Sequence, residues 1–171
     1  MGKISTDAFI REYGVAAKQK GTAMETFIKK HIVTDYVDFL TKCVYCDNII
    51  NATCYIKDGD REFVKINSTN RYLFFTMRLI ELYTDIEIDQ EKVWEEYDKL
   101  NKIGAISVLM NAIPEVEYAE FSTILNMKMD DLRDNSYSTT ALFYNLKNSL
   151  SISEEVINSV IEELTKQENN E

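Results

Sequence analysis

The segment Asn70–Asp85, NRYLFFTMRLIELYTD, constrains the fold more than any other part of this chain, because it carries the densest run of large apolar residues and sits just before the midpoint. Leu73, Met77 and Ile80 recur at helical spacing, and Tyr72, Phe75, Leu79 and Leu82 or Tyr83 form a second apolar strip beside them. A helix with two apolar strips must be covered on two sides. Its polar edge is narrow, formed by Arg71, Arg78, Glu81 and Asp85 and interrupted by Phe74. These features predict a central helix around which the remaining elements pack.

The flanking segments are mostly helical in pattern. Ser5–Tyr13 places Phe9, Ile10 and Tyr13 on one face and is followed by Gly14, a suitable left-handed C-cap. With the polar run Lys18–Gly21 after it, residues 1–20 read as an N-terminal helical arm that docks on a partner, and its deletion is expected to leave the fold intact. Thr22 and Glu25 have capping-box spacing ahead of Met24, Phe27, Ile28, His31 and Ile32. From Asp35 to Thr53, Phe39, Cys43, Cys46, Ile50 and Cys54 advance by four, three, four and four, one stripe of a helix. Two β-leaning runs around Asp58-Gly59 predict a hairpin, about residues 53–57 with 60–66, as the only sheet. Asn67, Ser68, Thr69 and Asn70 offer N-caps for the central helix.

Beyond it, Thr84–Asp89 alternates Ile86 and Ile88 with acidic residues and reads as an extended connector. Gln90–Lys102 carries Val93, Trp94, Tyr97 and Leu100 at helical spacing before Gly104, and Ala105–Ile113 is a short apolar helix. Pro114 suits the first turn of the next helix, with Glu115 and Glu117 at the positive end of its dipole. Its core face is Tyr118, Phe121, Leu125, Met129 and Leu132, with Ile124 beside it, and it should end near Asp134 and Asn135. Two more helices are expected over residues 139–150 and 151–164, and residues 167–171 form a frayed tail. The resulting expectation is an all-α fold, one helical domain over residues 21–166 with about seven or eight helices and a single small hairpin. Five glycines and one proline in 171 residues suit short connections.

Twenty-nine acidic against nineteen basic residues give a net charge of -10, which disfavours direct binding to nucleic acid or anionic membrane. Met1–Ile10 lacks a sustained apolar run and no stretch of about 18 apolar residues occurs, so a cytoplasmic location without a membrane span is expected. The Asn-x-Thr triplets at Asn51 and Asn67 then carry no glycan. Three cysteines in a reducing compartment read as buried thiols.

Sites of chemistry are sparse. Cys43-x-x-Cys46 could join a metal site only with Cys54 and His31, and it lies on the apolar stripe, so both cysteines read as small hydrophobes. His31 is the only histidine and shares a face with Phe27 and Ile28, which points to a structural role. The densest acidic tract, Asp85, Glu87, Asp89, Glu91, Glu95 and Glu96, lacks the glycine and terminal glutamate of an EF-hand loop. It reads as a solvated face, or as an interaction surface for a basic partner. No phosphate loop, nucleotide fingerprint or nucleophile elbow occurs. These readings predict no enzyme activity, no cofactor and no metal.

Several segments, in order, carry a resemblance: Lys30-His31-Ile32 leading to Tyr36, Asn67-Ser68-Thr69 leading to Arg71-Tyr72, Tyr83–Asp89, Tyr97–Gly104 and Ile113–Phe121. Over about residues 28–125 the chain resembles small proteins encoded among the virion-assembly genes of tailed bacteriophages and prophages of Gram-positive bacteria. The resemblance implies a non-enzymatic tail or head assembly factor, or a minor virion component, in the host cytoplasm or the virion. Its partners would be other phage proteins or copies of itself, met by helix packing. The alternative from charge is an acidic inhibitor that covers the basic groove of a host defence nuclease as a nucleic-acid mimic.

Overall fold

A computed structural model describes residues 2–19, 21–58 and 61–136. In chain order the elements are β1 (Ile4–Ser5), α1 (Thr6–Ala16), α2 (Ala23–His31), α3 (Phe39–Thr53), β2 (Tyr55–Asp58), β3 (Arg61–Val64), α4 (Ser68–Tyr83), β4 (Ile86–Glu87), α5 (Val93–Lys102), α6 (Ala105–Ala112) and α7 (Glu115–Ser136). The fold is mainly α. The helices expected over 139–150 and 151–164, and the tail, lie outside the described residues.

α4 is the central helix and is covered on two sides. Leu73, Met77 and Ile80 enter one apolar cluster with Phe9, Ile28, Ile86, Leu100 and Leu109. Leu79 and Tyr83 enter a second with Cys46, Ile49, Phe121, Leu125 and Met129. Phe74, which breaks the polar edge in sequence, packs against both clusters. Tyr72 departs from the expected strip and is exposed. Asn67 caps α4, its side chain accepting from the Asn70 N–H at 3.0 Å.

The N-terminal segment is not an arm. Phe9 is fully buried and Tyr13 nearly so, within the first cluster, and their rings pack on Phe27. The apolar face of α1 has its partner inside the same chain and not, as expected, on a neighbouring protein. Gly14 lies within α1, which continues to Ala16, so it is no C-cap. Among the described residues the left-handed glycines are Gly21 (φ 78°), before α2, and Gly104 (φ 74°), between α5 and α6. Thr22 precedes α2 without a side-chain cap bond, and Glu25 pairs instead with Lys29 at 2.6 Å.

Two short sheets form among the described residues. In the expected hairpin, Tyr55 pairs with Val64 and Asp58 with Arg61, so two residues connect the strands. Its base is tied to the helices: the Lys65 N–H donates to the Cys54 carbonyl and the Asn67 N–H to that of Thr53. The hairpin is not the only sheet, because β1 lies parallel to β4, with Ile4 beside Ile86 and Ser5 beside Glu87. On the other side of this connector Ile32 forms an antiparallel bridge with Thr84. Ile86 and Ile88 are buried as their alternation predicts, and the extended backbone between them and α4 meets partners from both α1 and α2 flanks.

Candidate functional site

The buried stripe of α3 is Lys42, Cys46, Ile49, Ile50 and Thr53, rotated from the expected one, so that Phe39 faces solvent and a lysine faces the core. Asp38 starts this helix by accepting from the Thr41 N–H at 2.9 Å. Four residues on, the Lys42 ammonium is wholly enclosed. Its Nζ lies 2.9 Å from Oε2 of Glu117 and also contacts Glu120, while the Tyr36 ring covers it at 5.5 Å. Oε2 of Glu117 further accepts from the Tyr83 hydroxyl at 2.7 Å and from the Val37 N–H at 3.0 Å. One carboxylate thus joins the loop before α3, α3 itself, the end of α4 and the first turn of α7.

The electrostatics follow from that arrangement. Burial alone would raise the Glu117 carboxyl, but hydrogen bonds from Tyr83, Lys42 and Val37 outweigh it and hold it below its ordinary value. Burial alone would lower Lys42, and its bonds to Glu120 and Glu117 reverse the sign. Tyr83 is pushed far up, by burial first and then by the adjacent carboxylate, so its hydroxyl stays a donor. Every charge in the cluster has a partner, which is the condition for keeping an ion pair inside a protein.

A second buried pair joins α2 to the connector. His31 Nδ1 lies 2.8 Å from Asp85 Oδ1, and both residues are almost fully enclosed. A carboxylate only accepts, so Nδ1 is the donor. His31 Nε2 makes no hydrogen bond, and Oε2 of Glu12 on α1 lies 3.7 Å from it. Phe9 and Phe27 pack against the imidazole ring at 5.2 and 4.5 Å. The expected structural role of His31 is what this environment provides.

The acidic tract is divided by the fold. Asp85 is buried against His31 and leaves the surface set altogether. Glu96 is half-buried, accepting from the Thr6 hydroxyl at 3.0 Å and the Asp89 N–H at 2.9 Å. Glu87, Asp89, Glu91 and Glu95 remain exposed. Among the cysteines, Cys46 and Cys54 are buried and Cys43 is half-buried. Burial pushes the Cys46 thiol up to about 12, far from a thiolate ligand or nucleophile. Among the described residues no group of three or more His, Cys, Asp or Glu is placed to hold a metal ion, and no helix is long and apolar enough to cross a membrane.

What the surface does offer is apolar. Tyr36 (64% exposed), Phe39 (60%), Leu40 (72%) and Val44 (49%) lie together on the start of α3 and the loop before it. Phe39, Leu40 and Val44 follow i, i+1, i+5 spacing and share one side of the helix. The buried network lies directly beneath, since Lys42 and Val37 belong to the same segment. Lys42, Tyr83 and Glu117 carried no sequence signal of a shared site, apart from the lysine four residues before buried Cys46. No family model, curated protein or solved structure matches this chain.

Proposed function

We propose that this protein is a non-enzymatic assembly component that works by protein–protein contact, with the start of α3 as its working face. The observation that carries the reading is the exposure of Tyr36, Phe39, Leu40 and Val44, four large apolar side chains on a segment anchored by the Lys42–Glu117 pair. An apolar strip on a rigid helix is what a partner helix packs against. The groups that could have done acid–base work support the same reading, because His31–Asp85 and Lys42–Glu117 are enclosed and paired with each other. The resemblance to virion-assembly proteins of tailed phages supplies the setting: tail or head proteins, or further copies of this chain, as partners.

The test is capture of tagged protein from its native cells, washed at low and at high salt, with wild type beside Leu40→Glu. Phage structural proteins that survive high salt and disappear with Leu40→Glu are the expected result. Partners that ignore the substitution would sink the assignment to this face. Release of a host nucleic-acid enzyme by salt would favour the acidic-mimic alternative, for which Glu87, Asp89, Glu91 and Glu95 are the carboxylates at the surface.

A further inference from the structure

A second place on the molecule is shaped to hold something, and no residue of the α3 face lines it. Between α4, α6 and the first turn of α7 there is a half-enclosed cleft of about 650 Å³, within the usual range of about 300–1,000 Å³ for ligand pockets. Three aromatic rings wall it: Tyr72, Phe75 and Tyr118. Phe75 and Tyr118 meet edge to face at 5.7 Å and 81°, which fixes both planes. Tyr118 belongs by spacing to the core face of α7, yet it is 41% exposed and turns this way. The polar side chains at the cleft include Ser107, Asn111 and Glu115, and none of these three is bonded to another described residue. Glu115 is the one charged residue among the described residues of the lining.

Ring faces carry negative potential, a carboxylate carries a full negative charge, and an amide and a hydroxyl can accept from N–H donors. Among the described residues no lining group is cationic. We propose that this cleft receives a basic side chain, an arginine or lysine presented by a partner polypeptide, with its charged head at Glu115 and its stem against the aromatic wall. Arginine fits best, because its planar head both stacks on rings and donates in two directions. The inference rests on the reading of the protein as a protein-binding component, but on none of the α3 residues.

The experiment follows backbone amides of ¹⁵N-labelled full-length protein while acetyl-Ala-Arg-Ala-amide is added to millimolar concentration, with acetyl-Ala-Glu-Ala-amide as the control. Saturable shifts confined to α4, α6 and the start of α7, seen with the arginine peptide alone, are expected. Glu115→Gln, at an exposed position, should weaken that binding about ten-fold, and Tyr118→Ala should weaken it similarly, while Leu40→Glu leaves it unchanged. No saturable shift, shifts spread instead over Glu87–Glu95, or an unaltered affinity in Glu115→Gln would overturn the proposal. Because Leu40→Glu affects the other face only, failure here is distinguishable from failure of the α3 assignment.

Discussion

Lys42 and Glu117, separated by 75 positions in sequence, form a buried ion pair at 2.9 Å that clamps α3 to α7. Glu117→Gln leaves the ammonium enclosed with Glu120 alone, and Lys42→Met leaves the carboxylate with two neutral donors. Each single substitution should cost about 3–5 kcal/mol. Lys42→Met combined with Glu117→Gln should cost less than the two summed, since neither partner of the pair is then left charged against a missing one. Urea unfolding of the four proteins, read as a double-mutant cycle, checks this; strict additivity would mean that the pair is not coupled.

The same pair sets the pH range of stability. Glu117 titrates in the folded protein below its ordinary 4.5, so its contribution is complete above that value and is lost as pH falls through the folded one. Lys42 titrates above its ordinary 10.5, so its contribution is complete below that and is lost as pH rises through the folded one. Relative to wild type, Glu117→Gln should therefore show a shallower loss of stability on acidification below about pH 4.5. Denaturation midpoints followed from about pH 2.5 to about pH 7 would reveal it; parallel curves would assign the acid response to other carboxylates.

α1 belongs to the core, so Phe9→Ala should destabilise by about 3–5 kcal/mol. Removing residues 2–19 should do more, because it uncovers Phe27, Ile28 and His31 together. Thermal melts followed by circular dichroism decide the matter. A truncated protein with the melting temperature of the full chain would restore the appendage reading.

Leu40→Glu removes no buried contact and should change stability by no more than about 0.5 kcal/mol, while abolishing partner capture. Size-exclusion chromatography of the same variant tests self-association. A variant that is as large in solution as a self-associated wild type would exclude copies of this chain as the partner at that face.

Cys43 should react with a disulfide reagent in the native protein, and Cys46 and Cys54 only on unfolding. The physical ground is that Cys46 is enclosed, with a thiol held near 12, and Cys54 sits at 3.5 Å from the Met129 sulfur. Native titration should count one thiol, a single equivalent per chain, against three in denaturant. Equal reactivity of all three would contradict the packing of α3.

Much of the architecture is legible in local pattern. The two strips of α4, the alternation of Ile86 and Ile88, the Asp58-Gly59 signal and Gly104 each act within a few residues, so spacing alone locates them. The polar interior is not legible in that way. Glu117 looks like a dipole-complementing residue in a first turn, and only the approach of Lys42 and Tyr83 from elsewhere makes it a buried hub. Asp85 looks like the first carboxylate of an acidic surface, and His31, 54 positions away, takes it inside. The misread stripe of α3 has a similar cause. A lysine opposite two acids is satisfied in the core, so Lys42 turns inward and Phe39 and Leu40 turn out, which hydrophobicity alone would not choose.

Leu79 and Ile80 are consecutive, both wholly enclosed, and belong to different clusters. Successive helical residues point about 100° apart, so α4 cannot roll toward one cluster without withdrawing a side chain from the other. The helix behaves as a party wall with rooms on either side. The α3 face is bonded to the end of α4 through Glu117 and Tyr83, and the same helix packs against α1 on its other side. Amide exchange in α1 and α7 should accordingly slow together when either face is occupied, because the two rooms open as one.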